Sequence, residues 1–393
     1  MHIVHLCQRF YYGRGQEVLL YHLANELARL NHKITIITSP LDKSAPFVKD
    51  MKLHSNITIK ESPAVRVEYP TNQLLFPKLG AELMAMDDVD IIHAHGAMTH
   101  VAQVGVTIAK TKKIPFIYTP LFHPWRFFEQ RPYRYTREAY ESVFTVPIMK
   151  ESSKVIAISP FEKKYLTLRR KVSSRKIVVI ASGINVHYYP TIVSRRQVRS
   201  SYRIPEGKQY VVTFGTISDP RKGLDRVLKI FELINKHKPN THLIIIGWKY
   251  KPGADHIAKM YENLQCKNNI SALGYVSEEN KTALIKMSDV LISPTTYEAF
   301  GIVLGEAMYL EVPVVVTKVG GTPFVVRHGK TGYTVDKYNS ISRFAEYSLD
   351  ILNDKKLKEY LGKNGKEVVK KHFAWKKIAL QVDKQYKLIM KGK

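Results

Sequence analysis

Short runs of β-branched and apolar residues alternate with stretches of helical periodicity along most of the chain. Ile3–Leu6 reads as a first strand. After a glycine-containing turn, Val18, Leu19, Leu23, Leu27 and Leu30 form one apolar stripe, which predicts a helix over Glu17–Leu30. Lys33–Thr38 (KITIIT) is the next strand. A β-α-β opening predicts a parallel sheet covered by helices. Ile57–Ile59, Asp90–His93, Phe116–Thr119 and Val155–Ile158 continue the strand series.

A second series begins at Tyr210–Phe214. The spacing of Leu224, Val227, Leu228, Phe231 and Ile234 predicts a helix over Leu224–His237. His242–Ile246, Val290–Ser293 and Val312–Thr317 are near-continuous apolar runs, as expected of strands buried on both faces. The chain therefore reads as α/β, with two Rossmann-like doubly wound units. Their joint is expected in Ser182–Pro205, which holds Gly183, Pro190, Pro205 and the basic cluster Arg195, Arg196 and Arg199. Two open α/β units are expected to face a cleft lined by strand carboxyl ends, where ligands bind. Chemistry should then lie just after strands.

The length of 393 residues suits two or three domains, and 45% apolar residues exclude disorder over most of the chain. Lys plus Arg number 61 against 34 acidic residues, a formal charge of +27. That surplus predicts an anionic partner, such as a phosphorylated ligand, nucleic acid or an anionic membrane. Cys7 and Cys266 are too few for a disulfide framework or a structural zinc site. The N-terminus is too short and polar for a signal peptide, and no apolar run approaches the ~18 residues that span a bilayer. The expectation is a cytoplasmic protein whose membrane contact, if any, is peripheral.

The segment Ser293 to Met308 is the first candidate for chemistry. A strand ends near Ser293, a polar loop follows, and a helix is expected from about Gly301. Unpaired N–H groups at that helix start would favour a phosphate. Glu298 in the loop could accept hydrogen bonds from sugar hydroxyls, and Glu306 could reach a second pair such as those of ribose. Lys222, beside Gly223 at a strand-to-helix turn, could neutralise charge on a departing diphosphate. Arg221 offers a planar fork suited to phosphate oxygens. In so basic a protein both cations could equally be solvated surface groups. Gly13 and Gly15 flank Arg14 after the first strand, where glycine lets backbone approach a phosphate. The third glycine of a dinucleotide fingerprint is absent. His93 and His95 are expected to face opposite ways, one in the core and one lining the cleft. Asp88-Val89-Asp90 matches a D-x-D pattern but lies at the entry of its strand, the wrong end for a cleft; no metal is expected. Trp248 could stack on a base or anchor the core.

Several of these segments, in order, resemble those of GT-B glycosyltransferases of the large retaining family 4 type (glycosyl transferases group 1). Glu298-Ala299-Phe300-Gly301-Ile302-Val303-Leu304-Gly305-Glu306 resembles the family's E-x7-E segment. Gly215 to Gly223 resembles its G-R-x-x-x-x-K-G loop, with Thr216 at the arginine position. Gly320-Gly321-Thr322-Pro323 resembles its G-G-x-P turn, followed by Phe324 in place of glutamate. Glu311 replaces a glycine before Pro313. Gly15-Gln16-Glu17 resembles a G-G-x-E loop, Ile91 to Gly96 an H-A-H-G strand end, and Phe373-Ala374-Trp375 the start of the closing helix.

The resemblance implies an N-terminal acceptor domain over 1–187, completed by a closing helix over 373–393 that crosses back to it. A nucleotide-sugar domain over 188–372 is implied beside it. Donor binding is implied for Gly15, Arg221, Lys222, Glu298, Phe300, Gly301, Ile302 and Glu306, and acceptor binding for Gly13, Gln16 and His123. His123, Lys222 and Glu298 are the implied catalytic residues; Leu121 stands where the family's histidine is expected. The implied reaction is metal-independent hexosyl transfer with retention, with no cofactor beyond the donor. UDP-sugars are favoured over GDP-sugars. A sugar-nucleotide epimerase on the same fold is the alternative, and a basic nucleic-acid-binding protein a more distant one.

The charge is concentrated. From Arg126 to Lys176 there are 13 Lys/Arg and five Glu, interleaved with Trp125, Phe127, Phe128, Tyr133, Tyr135 and Tyr140. From Lys355 to Lys393 there are 13 Lys and three acidic residues. Aromatic bodies with basic heads suit an anionic membrane, suit single-stranded nucleic acid, or belong to a core with a solvated basic face. The resemblance favours a lipid-linked or glycan acceptor at the cytosolic membrane face, and no nucleic-acid partner.

Overall fold

A computed structural model describes residues 1–11, 15–49, 51–67, 73–97, 99–122, 124, 135, 138–186, 193–215 and 219–392. The chain forms two compact units, Met1–Gly183 with Trp375–Lys393, and Ile184–Ala374.

The strands of the first unit are β1 (His2–Cys7), β2 (Lys33–Thr38), β3 (Ile57–Glu61), β4 (Val65–Val67), β5 (Gln73–Leu75), β6 (Ile91–His95), β7 (Phe116–Thr119), β8 (Lys154–Ala157) and β9 (Ile177–Val179). Among the described residues, seven form one parallel sheet in the order β3-β2-β1-β6-β7-β8-β9, while β4 and β5 form a small antiparallel pair. β1 is central: Val4 aligns with Thr35 of β2 and Ile92 of β6. All six of its residues are buried, as a strand covered by helices on both faces requires. The helix Gly15–Arg29 buries Leu19, Leu20, Leu23, Ala24, Leu27 and Ala28. The closing helix Trp375–Lys391 belongs to this unit and buries Trp375, Ile378, Ala379, Val382 and Tyr386.

The second unit contains β10 (Gln209–Phe214), β11 (Thr241–Ile246), β12 (Ile270–Gly274), β13 (Val290–Ser293), β14 (Val314–Thr317) and β15 (Gly332–Val335). They form a parallel sheet in the order β12-β11-β10-β13-β14-β15. The helix Leu224–His237 packs its predicted apolar face into the core with Leu243, Ile245 and Trp248.

In each sheet the strand order reverses beside the first strand, between β1 and β6 and between β10 and β13. In open α/β sheets, loops leaving the carboxyl ends of strands at such a reversal diverge, and ligands bind there. The β10 loop carries Lys222 and the β13 loop carries Glu298. Among the described residues no helix is long and apolar enough to cross a membrane.

His93 and His95 correct an expectation. Residues two apart on a strand point to the same face, and both side chains are fully buried with rings stacked 4.1 Å apart. Neither is a free lining residue. His93 Nδ1 pairs with the Tyr386 hydroxyl at 2.6 Å and its Nε2 with Thr119 Oγ1 at 2.8 Å. His95 Nε2 pairs with His5 Nδ1 at 2.9 Å.

Candidate active site

The β10 loop turns through a short 3-10 segment, Pro220–Lys222, capped by the Asp219 side chain. Gly223 closes it with φ +67°, a left-handed conformation that glycine adopts without strain. Lys222 Nζ then lies 2.8 Å from Glu298 Oε2. The two residues expected to act on the donor are thus an ion pair joining adjacent loops. Arg221 turns the Nε–Nη2 edge of its fork onto Asp219, at 2.7 and 2.6 Å. That contact accounts for much of the arginine's orientation, with Asp219 held below the usual carboxylate range by Arg221 despite burial.

The β13 loop reaches Gly301, which has φ +93° and forms the N-cap of the helix Ile302–Tyr309. The N–H groups of Gly301, Ile302 and Val303 lack intrahelical acceptors, whereas the Leu304 N–H donates to the Gly301 carbonyl at 3.0 Å. Phe300 is buried, its ring edge-on to Phe373 at 5.4 Å, so what this residue can offer a ligand is backbone. Phe324 meets the same Phe373 ring at 5.6 Å, which explains an aromatic residue after the Gly320-Gly321 turn. Those glycines serve close approach. A Cβ on Gly320 would fall 2.1 Å from the Glu298 carbonyl oxygen, and one on Gly321 2.0 Å from that of Ala299. The Gly321 N–H donates to the Glu298 carbonyl at 2.8 Å. The turn after β14 therefore braces the loop that carries Glu298.

Glu306 lies on the inner side of its helix, with Lys281 Nζ 3.1 Å from Oε1. Burial raises the Glu306 pKa, while Lys281 is held charged by Glu306 and Glu278. Trp248 is buried, with Tyr250 and Tyr261 rings 6.2 and 6.1 Å away, so it anchors the core. Glu311 has φ +63°, the left-handed region glycine favours, and pairs with Lys366.

In the first unit, Gly15 begins its helix and Gln16 Nε2 donates to the His95 carbonyl at 3.2 Å and to Cys7 Sγ at 3.3 Å. The amide fixes the helix start to the ends of β1 and β6. Gly13 and His123 lie outside the described residues, as do Trp125, Phe127, Phe128 and Tyr133. The backbone leading to position 123 is described. Leu121 has φ +50°, and the buried Glu162 carboxylate accepts the Phe122 N–H at 2.6 Å and the Ile158 N–H at 2.7 Å.

Among the described residues, His5, His93 and His95 form one cluster with metal-ligand spacing, a nitrogen of each within 4.8 Å of the others. His5 bonds to His95, and His93 to Tyr386 and Thr119, while His5 Nε2 and His95 Nδ1 are buried without a hydrogen-bond partner among the described residues. Burial holds all three neutral, His5 down to about 3. Asp88 pairs with Lys33 at 2.6 Å, and Asp90 accepts the His2 N–H at 2.7 Å, so both D-x-D carboxylates tie strand starts together.

Sequence reasoning missed Lys281, Glu162 and Arg226. The first two read as ordinary helix charges, and only three-dimensional neighbours distinguish them. Arg226 follows Gly223 by three residues, a spacing that could have drawn attention.

Comparisons with known proteins agree with this fold. Residues 13–188 match the Glycosyltransferase Family 4 model, and residues 194–368 match Glycosyl transferases group 1. The chain is 25% identical over 378 residues to the N-acetyl-alpha-D-glucosaminyl L-malate synthase of Bacillus anthracis, covering 95% of this chain and 93% of that one. It is 23% identical over 383 residues to a phosphatidylinositol N-acetylglucosaminyltransferase subunit of Saccharomyces cerevisiae, covering 96% and 80%. In structure it resembles the Anabaena protein HepE, solved with UDP-glucose, at TM-score 0.75 and 18% identity over 98% and 99% of the two chains. With both halves matched in order and the two-sheet architecture shared, the chain belongs to the GT-B glycosyltransferases of the group 1 and family 4 type.

Proposed function

We propose that this glycosyltransferase moves a hexosyl unit from a nucleotide-diphosphate sugar, a UDP-sugar in preference to a GDP-sugar, to an acceptor hydroxyl with retention of configuration. The observation that carries the reading is the Lys222–Glu298 pair at 2.8 Å, beside a helix start at Gly301. Glu298 holds the ammonium in place before the donor arrives. The diphosphate then shares Lys222 and takes hydrogen bonds from the Gly301 and Ile302 N–H groups, with Arg221 alongside. Glu298 is left to accept from sugar hydroxyls and Glu306 from the ribose. HepE's complex with UDP-glucose supports the choice of base.

In the reaction the bond from the anomeric carbon to the phosphate oxygen breaks, and a bond to the acceptor oxygen forms on the same face. The acceptor proton passes to the departing phosphate. Lys222 stabilises the charge that develops there, so in this mechanism a lysine does the work a metal does elsewhere. The first unit takes the acceptor, through the loop at Gly13 to Gln16 and His123.

The proposed acceptor is a lipid-linked or glycan intermediate at the cytosolic face of the membrane. Val143, Phe144 and Leu168 are apolar yet 63%, 44% and 56% exposed, among the lysines and arginines between Arg126 and Lys176. Such a mixture suits an anionic headgroup layer. The relative named for phosphatidylinositol supports the same class of acceptor.

A thermal-shift panel of nucleotide sugars tests the donor assignment. A UDP-sugar should raise the melting temperature with its concentration, and Lys222→Ala should weaken that shift. A panel without any responding nucleotide sugar would overturn the proposal.

A further inference from the structure

Arg226 lies in the first turn of the helix Leu224–His237, and its guanidinium reaches back over Gly223. Nε donates to the Pro294 carbonyl at 2.9 Å and Nη2 to the Arg221 carbonyl at 3.2 Å. The same Arg221 carbonyl accepts the Thr296 N–H at 3.0 Å. The guanidinium also lies over the Tyr338 ring, 5.1 Å from its centroid, and approaches Asp225 at 3.6 Å. One planar group thus joins the loops that follow β10, β13 and β15.

Gly223 makes room for it. A Cβ at 223 would fall 2.1 Å from Arg226 Nη2. The glycine therefore has two reasons to be there, its left-handed backbone and the arginine laid across it. Lys222 adjoins the carbonyl that receives two of these bonds, and Glu298 follows two residues after Thr296. The spacing of the Lys222 and Glu298 backbones is set by this cross-link.

Building on the donor assignment above, we propose that Arg226 is a positioning residue for the nucleotide diphosphate. It touches no phosphate itself; it fixes where Lys222 and the amides at Gly301 stand. Lysine cannot replace it, because an ammonium lacks the flat fork that makes two directed bonds and stacks on a ring. A misplacement of about 1 Å at such a site can cost on the order of 100-fold.

The test is titration of UDP and of uridine against the full-length protein, Arg226→Lys, Arg226→Ala, Lys222→Ala and the Arg226→Ala/Lys222→Ala double variant. Both Arg226 variants should bind UDP about tenfold or more weakly while uridine changes by less than about twofold, because the loss falls on the phosphate site. In the Lys222→Ala background, Arg226→Ala should weaken UDP by less than about threefold further, since coupled residues are not additive. Equal losses for UDP and uridine, independent losses in the double variant, or parental UDP affinity in Arg226→Lys would each overturn the positioning role. Should Arg226→Ala fail to fold, Tyr338→Leu, which removes the stacking ring alone, should give the same selective loss in smaller measure. If Lys222→Ala weakens UDP while the Arg226 variants do not, this proposal falls and the donor assignment stands. If the parent protein binds no nucleoside diphosphate, both fall.

Discussion

The two units are built on the same wound parallel sheet, yet they treat polar groups in opposite ways. The first buries neutral histidines inside: His5, His93 and His95 stack and hydrogen-bond beneath the closing helix, with Tyr386 and Thr119 as partners. The second buries His242 in its sheet and gathers opposite charges on the loops and helices beyond the strand ends. Lys222 with Glu298 and Arg221 with Asp219 lie on those loops, and Lys281 pairs with Glu306 between two helices. A buried neutral network holds a helix to a sheet. The two loop pairs are partly exposed, and such pairs can exchange partners when an anionic ligand arrives. The contrast marks one set of polar residues as scaffold and leaves the other as the candidates for chemistry.

Acid should break the comparison most strongly. A histidine whose folded pKa lies far below the unfolded value of about 6.5 stabilises the fold above that pH and loses its contribution as pH falls. Well below pH 6.5 each such histidine contributes a slope of up to about 1.4 kcal/mol per pH unit, so the three in the first unit approach about 4 near pH 5. In the second, His242, lowered to about 4 by burial, is the counterpart. Hydrogen exchange from pH 7 to 5 should show the first unit losing protection before the second; the reverse order would contradict the contrast.

Next comes Lys222→Ala. Removing one preorganised charge from a developing anion costs about 100- to 1,000-fold in turnover, with little change in melting temperature because the side chain is 31% exposed. Unchanged turnover would remove Lys222 from the chemistry. Gly321→Ala should cost about 1–3 kcal/mol through overpacking, since its methyl would meet the Ala299 carbonyl at 2.0 Å. Nucleotide affinity should fall with it, and a variant as stable and as tight-binding as the parent would deny the bracing role of the turn.

Glu162 should give an effect seen only as pH changes, with a sign opposite to that of the histidines. Burial raises its pKa to about 7, against the pull of two backbone N–H bonds. A carboxyl with a raised folded pKa contributes stability below its unfolded value of 4.5 that is lost as pH rises to about 7. Compared with Glu162→Gln, the parent should therefore lose up to about 3 kcal/mol between pH 4.5 and 8. Parallel stability curves would show that Glu162 stays ionised throughout.

The central strands and the motif loops were legible in the sequence because buried parallel strands are apolar runs. Lys33–Thr38, Val290–Ser293 and the helix Leu224–His237 lie where their patterns place them. The edge strands β9, β12 and β15 were not, because Ile177–Val179, Ile270–Gly274 and Gly332–Val335 are short or mixed in polarity. Edge position makes lower apolarity tolerable. Glu298, Gly301 and Glu306 made the β13 loop a candidate ligand site in the sequence. What pattern could not reveal was who pairs with whom. The Lys222–Glu298 contact spans 76 residues of sequence, and Arg226 looks like any solvated helix arginine until its three loops are folded around it. The histidines were misread through parity: positions 93 and 95 share a face, and that face is interior.

The most direct test is a crystal structure of the protein with UDP or a UDP-sugar. The account predicts the diphosphate on the second unit, within hydrogen-bond reach of Lys222 Nζ and the Gly301 and Ile302 amides, with the Lys222–Glu298 pair opened to admit it. A nucleotide seated elsewhere, or one bound with that pair intact and its phosphates turned to solvent, would contradict it.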